Sequence, residues 1–145
     1  MRVSPHLCFN GQCRAAFMAY QRILGGTLAT MLTYGESPMA HQVDSRWHDR
    51  IVHATLQSEG IELNGTDLLS TDDVKPQGFF VTLTVEDSAR ARHIFAQLAE
   101  RGTIGLPFQA TFWSPGFGVV VDRFGMPWEI NSDEPNVEPH DQNSR

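Results

Sequence analysis

The chain has 145 residues, 41% hydrophobic and 19% charged, with a formal net charge of −6; this is the make-up of one folded domain able to bury a core without disulfide or metal. Its basic residues, among them a single lysine, Lys75, form no stripe, so neither nucleic acid nor an anionic membrane surface is expected as a partner. The start, "MRVSPHLCFNGQ", lacks the apolar run of a signal peptide, no stretch is long enough to span a bilayer, and Cys8 and Cys13 form no Cys-x-x-Cys; a reduced, cytoplasmic protein is expected.

"VSPHLCF" reads as a strand ending at Asn10-Gly11. A helix follows over "QCRAAFMAYQRIL", where Cys13, Ala16, Phe17, Tyr20 and Leu24 recur at helical spacing and Gly25-Gly26 stops it. "TLATMLTY" is a second strand, and "GESPMAHQVDSRWHD" a polar loop. "RIVHATLQ" and "IELNG", joined through Ser58-Glu59-Gly60, form a hairpin. The order then repeats. "FFVTLTV" is a strand, and "SARARHIFAQLAER" a helix with Ala91, Ile94, Phe95 and Leu98 inward. "TIGLPF" is a strand, "QATFWSPG" a loop, and "FGVVVDRF" and "WEIN" a closing pair.

The repetition extends to wording: Ile61-Glu62-Leu63-Asn64 is echoed by Trp128-Glu129-Ile130-Asn131, 67 residues on (129 − 62). Gly26-Thr27 and Gly102-Thr103 differ by 76 (102 − 26), so the first half's long loop has no full counterpart in the second. The expected fold is α+β: one domain over residues 1–131, built of two βαβββ modules at about 1–67 and 77–131, with a mobile polar tail over 132–145.

Alternation assigns the faces. Val52, Ala54 and Leu56 form one set, and Ile51, His53 and Thr55 the other. Ile61 and Leu63 oppose Glu62 and Asn64; Trp128 and Ile130 oppose Glu129 and Asn131; Leu7 and Phe9 oppose His6 and Cys8. The apolar sets belong under the helices. If the two sheets curl toward each other, His6, His53, Glu62 and Glu129 look into one cup. On this reading duplication supplies a matching carboxylate to each wall.

The stretches "SPHLCFNGQCRAAFMAYQRILGG", "YGESP", "IVHATLQ", "NGTD" and "TFWSPGFGVVVDRFGMPWEIN" resemble the vicinal oxygen chelate superfamily, which includes glyoxalase I, bleomycin-resistance and fosfomycin-resistance proteins and extradiol dioxygenases, and within it the PhnB-like branch. The resemblance covers the chain to about Asn131. It implies a cupped mixed sheet of paired modules, a homodimer, and a small-molecule ligand. Some relatives carry a demethylubiquinone methyltransferase label, but no glycine-rich loop joins strand to helix here.

Metal-dependent members bind one divalent ion through His, Glu or Gln on the first and last strands of the modules. Carried over, the resemblance implies a metal set of His6, Glu62 and Glu129, with Glu62 and Glu129 also the candidate catalytic groups. A metal there would polarise a substrate oxygen, and a flanking glutamate would carry the proton. The sequence departs from the pattern in "GFFVTLTV", where Phe80 or Val81 stands in place of a histidine. The cofactor is therefore either one divalent metal ion or none, with the glutamates paired to arginines such as Arg123 in the second case.

His53 is a cavity proton donor or ligand anchor, or else a core histidine; its counterpart in the repeat would be Val120 (53 + 67). Phe80, Phe112, Trp113 and Trp128 would line a ligand site, or pack a core or dimer seam. Asp122 and Arg123 fix a turn, and His41 and His48 flank a loop that is either a lid or simply solvated. Two functions follow: a glyoxalase- or dioxygenase-type enzyme, or a metal-free protein that binds or sequesters a small molecule as bleomycin-resistance proteins do. A purely structural dimer is the third.

Overall fold

The computed structural model describes residues 1–73 and 75–135. The elements run β1 (His6–Phe9), α1 (Cys13–Leu24), β2 (Thr27–Thr33), β3 (Ile51–Ser58), β4 (Ile61–Asp67), β5 (Val81–Val85), α2 (Ser88–Ala99), β6 (Thr103–Gln109), β7 (Gly116–Val121) and β8 (Pro127–Ser132). They form two four-stranded mixed sheets with two helices, an α+β fold, ordered β1-β4-β3-β2 and β5-β8-β7-β6. In each sheet the first strand pairs parallel with the last and the other pairs are antiparallel. The module expected from the sequence thus occurs twice. Most of the tail, residues 136–145, lies outside the described residues; Ser132, at its expected start, closes β8 and is buried. No helix among the described residues is long and apolar enough to cross a membrane.

Two compact units result. The first holds Met1–Phe79 and Arg123–Met126, the second Phe80–Asp122 and the chain from Pro127.

In the first unit the whole expected stripe of α1, Cys13, Ala16, Phe17, Tyr20 and Leu24, is buried. It meets Leu7 and Phe9 of β1, Ala54 and Leu56 of β3 and Leu63 of β4 in the core, where full burial of each large side chain stabilises by about 1.5–3 kcal/mol. Phe17 lies so close to β4 that a Cβ on Gly65 would come within 2.3 Å of its ring. Tyr20 also takes an edge-to-face contact from Phe124, ring centroids 6.1 Å apart. The helix stops at Gly25, φ +78°, whose N–H donates to Gln21 O.

The start of α1 is fixed from a distance. Gln12, at the N-cap, caps nothing with its side chain. Instead Asp67, at the end of β4 and 2% exposed, accepts from the backbone N–H of Gly11 (2.9 Å) and Cys13 (3.0 Å) through Oδ1 and of Ile51 (2.8 Å) through Oδ2. One carboxylate therefore satisfies an orphan donor of a helix, fixes the chain leading into it and pins the entry to β3. Burial, then the Asp67 charge, push the Cys13 thiol far above its ordinary range; it is an inert packing group.

The loop between β2 and β3 folds into short 3₁₀ turns, Ala40–Gln42 and Ser45–Trp47. His48 Nε2 lies 2.9 Å from Ala40 O and 3.0 Å from Val43 O. Both are acceptors, so this nitrogen carries the proton and staples the turns. Arg50 donates to Asn10 Oδ1 (2.7 Å) and to the carbonyls of Leu68 and Ser70, with its guanidinium 4.3 Å from the Trp47 ring centroid. Thr33 donates its hydroxyl to Glu36 at 2.7 Å, which holds the Glu36 carboxyl below its usual range.

In the second unit Ala91, Ile94, Phe95 and Leu98 of α2 are buried, as expected. The cap here is local: Asp87 accepts from the N–H of Ala89 (2.9 Å) and Arg90 (3.3 Å). Phe95 packs over Gly118, where a Cβ would lie 2.6 Å from its ring, and against Phe108. Trp128, Ile130 and Val120 complete this core.

The ladders correct the equivalences taken from sequence spacing. Gln57 pairs with Glu62, and Val119 with Glu129. The offset is thus 67 between the last strands but 62 (119 − 57) between the strands before them. The cause is the turn: residues 121–127 stand where the first hairpin has only 59–60. Val120 is therefore the counterpart of Ser58, not of His53, whose position falls on Pro115, just before β7. Likewise His6 pairs with Asn64 and Thr84 with Asn131, so Thr84, rather than Phe80 or Val81, occupies the place of His6.

Candidate functional site

The sheet face of the first unit turned away from α1 is polar. Register and parity put His6 and Cys8 of β1, Glu62, Asn64 and Thr66 of β4, and His53, Thr55 and Gln57 of β3 on it. The His6 and His53 rings meet edge to face, centroids 6.2 Å apart. Thr55, 7% exposed, donates its hydroxyl to Asn64 Oδ1 at 3.0 Å and lies 3.1 Å from His53 Nε2. His53 and Asn64 are half-buried and His6 is exposed. His53 is thus bonded through a side chain on the open face, not to backbone as a core histidine would be.

Glu62 is already engaged. It accepts from Ser4 Oγ at 3.0 Å and pairs with Arg2 at 3.3 Å. The arginine partner expected of the metal-free case exists, but it is Arg2; Arg123 lies 4.4 Å over the Phe124 ring instead. Arg2 is well exposed, so this ion pair contributes little, within about 1 kcal/mol.

The corresponding face of the second sheet is more apolar. Glu129 and Asn131 of β8 share it with Phe117 and Val119 of β7 and with Thr82 and Thr84 of β5. Phe80 precedes β5 in the same parity and is 48% exposed. Trp113 stacks edge-on against Phe117 at 5.3 Å and Phe112 against Trp113 at 4.7 Å, with Phe112 almost fully exposed. Glu129 is half-buried, and its carboxylate makes no hydrogen bond or ion pair among the described residues.

Trp128 takes the core place among its expected alternatives. It sits on the helix side of β8, 1% exposed, and its indole N–H donates to Asp122 Oδ2 at 2.9 Å. It is a core residue and not a ligand contact; Asp122 fixes the turn partly through this bond. Of the expected metal set, His6 and Glu62 stand in the first unit and Glu129 in the second. Among the described residues no three His, Cys, Asp or Glu side chains form a group that could hold a metal ion. Thr55 and Asn64 were legible as face residues from alternation, but nothing in the sequence marked them as partners of each other and of His53, or Phe117 as the neighbour of Trp113.

A duplicated βαβββ unit with one open sheet face in each copy defines a class of α+β protein. Protein YjdN of Escherichia coli (strain K12) is 34% identical over 139 residues, 90% of this chain and 95% of its own. Protein PA1353 of Pseudomonas aeruginosa, a solved structure, shares 37% identity over 93% of this chain and 99% of its own, with a TM-score of 0.85. A putative 3-demethylubiquinone-9 3-methyltransferase, PhnB protein, from Bacillus cereus shares the fold at a TM-score of 0.73 and 21% identity, covering 91% and 99% of the two chains. No family model matches the chain. The chain belongs to the family of YjdN and PA1353, and it has the fold of the PhnB and glyoxalase-related structures, the fold that its resemblance to the vicinal oxygen chelate superfamily implies.

Proposed function

We propose that this protein binds a small organic molecule on the open face of its first sheet, with His53 and Asn64 as polar contacts and His6 beside them. One observation carries the reading: a half-buried imidazole is oriented by a nearly buried hydroxyl on the sheet face turned away from α1. Orienting a side chain this way costs conformational freedom and gains the fold little, which is characteristic of a site. Glu62, held by Ser4 and Arg2, borders it. The second sheet carries its own candidate ligand-binding residues, Glu129, Phe80, Phe112 and Trp113, with Glu129 the carboxylate for proton transfer if the protein is an enzyme of glyoxalase or dioxygenase type. We favour binding without a metal, on the bleomycin-resistance pattern, because Glu62 is committed to other partners. We further propose a cytoplasmic homodimer: β1, β2, β5 and β6 are edge strands whose unpaired backbone a second copy would cover.

The test is a thermal-shift screen of small molecules with a chelator present. Compounds that raise the melting temperature of the wild type and not of His53→Ala support the reading. Stabilisation that appears only after nickel, manganese or zinc is added, or that survives His53→Ala unchanged, would overturn it. Light scattering reads the dimer directly.

A further inference from the structure

The Thr55 hydroxyl decides the state of His53. Its oxygen lies 3.0 Å from Asn64 Oδ1 and 3.1 Å from His53 Nε2. A hydroxyl has one proton to give, and an amide oxygen can only accept. That proton therefore goes to Asn64, and the side of the hydroxyl facing His53 is a lone pair. The His53–Thr55 bond then requires its proton from Nε2. Thr55 is 7% exposed, so water competes poorly for either position.

We infer that Thr55 is a positioning residue that locks His53 as the Nε2–H tautomer, leaving Nδ1 as a hydrogen-bond acceptor for the ligand. The amide hydrogens of Asn64 have no acceptor among the described residues; they add donors to the same face. A bare Nδ1 selects a ligand that donates an N–H or O–H, and it gives nothing to a carboxylate or phosphate. The ligand class is thus a neutral small molecule carrying a hydrogen-bond donor, such as a cyclic amide. This rests on the binding site proposed above and specifies its chemistry.

The experiment uses the full chain labelled with nitrogen-15, at about pH 8 where an ordinary imidazole is neutral. Long-range proton–nitrogen spectra assign the tautomer of each histidine. The expected His53 pattern has a protonated Nε2 and a bare Nδ1; a protonated Nδ1, or rapid averaging between the two forms, overturns the inference. Thr55→Val is expected to bring that averaging about, and Thr55→Ser to restore the lock. If Thr55→Val fails to fold, the wild-type spectrum still decides. The probes are 2-pyridone and N-methyl-2-pyridone. We expect 2-pyridone to shift His53 saturably, N-methyl-2-pyridone not to, and Thr55→Val to weaken 2-pyridone about fivefold, the worth of one net hydrogen bond. Equal shifts from both probes would overturn the donor requirement and leave the binding site standing. No shift of His6, His53 or Asn64 by either probe would overturn both.

Discussion

The two sheets share a strand order and differ in what their open faces carry. The first presents two imidazoles, an amide tied to His53 through Thr55, and a carboxylate held by Ser4 and Arg2; the second presents Phe117, Val119 and an outlying Phe112–Trp113 stack beside Glu129. The helix caps differ in the same spirit. Asp67 reaches α1 from the last strand of its unit, whereas Asp87 sits immediately before α2. The ladders put Phe9 opposite Asp67 in one unit and carry Val85 only as far as Ser132 in the other, so the second unit has no strand position from which a remote cap could act. Duplication fixed the backbone plan, and each copy then solved its orphan donors and its exposed face separately.

Two pairs of substitutions and one single change sharpen this comparison. Asp67→Ala strands three buried or part-buried N–H groups and is expected to cost about 3–5 kcal/mol in urea unfolding. Asp87→Ala removes an exposed cap and is expected to cost about 1 kcal/mol; equal costs would show that the remote cap is no stronger than the local one. Trp128→Phe leaves buried Asp122 without its indole donor and is expected to cost about 1–3 kcal/mol, against less than about 0.5 kcal/mol for Phe112→Ala on the exposed stack. A further comparison concerns Cys13, which occupies the first inward position of α1 as Ala91 does in α2. Its folded thiol titrates above the unfolded one, so its contribution is complete below an ordinary thiol pKa of about 9.0 and is lost as pH rises beyond it. Wild-type stability should therefore fall by up to ~1.4 kcal/mol per pH unit above that value, and Cys13→Ala should remove this part of the slope. At neutral pH exposed Cys8 should take up iodoacetamide while buried Cys13 does not.

Much of this molecule is legible in its sequence, and the remainder is illegible for identifiable reasons. The stripes of both helices, the alternation of β3, β4 and β8, and the shorter second loop all follow from local periodicity. Register does not. Spacing alone matched His53 to Val120, because a five-residue difference in hairpin turns leaves no trace in the pattern of apolar residues. The role of Asp67 is hidden for a similar reason: its partners lie 54 and 56 residues away, and a strand-terminal aspartate looks like any other turn residue. Trp128 shows the converse. Its parity already placed it under the helix, and its aromatic character suggested a ligand contact; burial and the bond to Asp122 agree with the parity.

The segment Arg123–Met126 belongs to the first unit although it joins the last two strands of the second. A nascent chain emerging from the ribosome therefore offers Tyr20 its Phe124 neighbour only when nearly all of the polypeptide has been made. The amino-terminal half matures late, and a truncated product ending before that turn keeps a gap beside a tyrosine that the finished protein leaves 1% exposed.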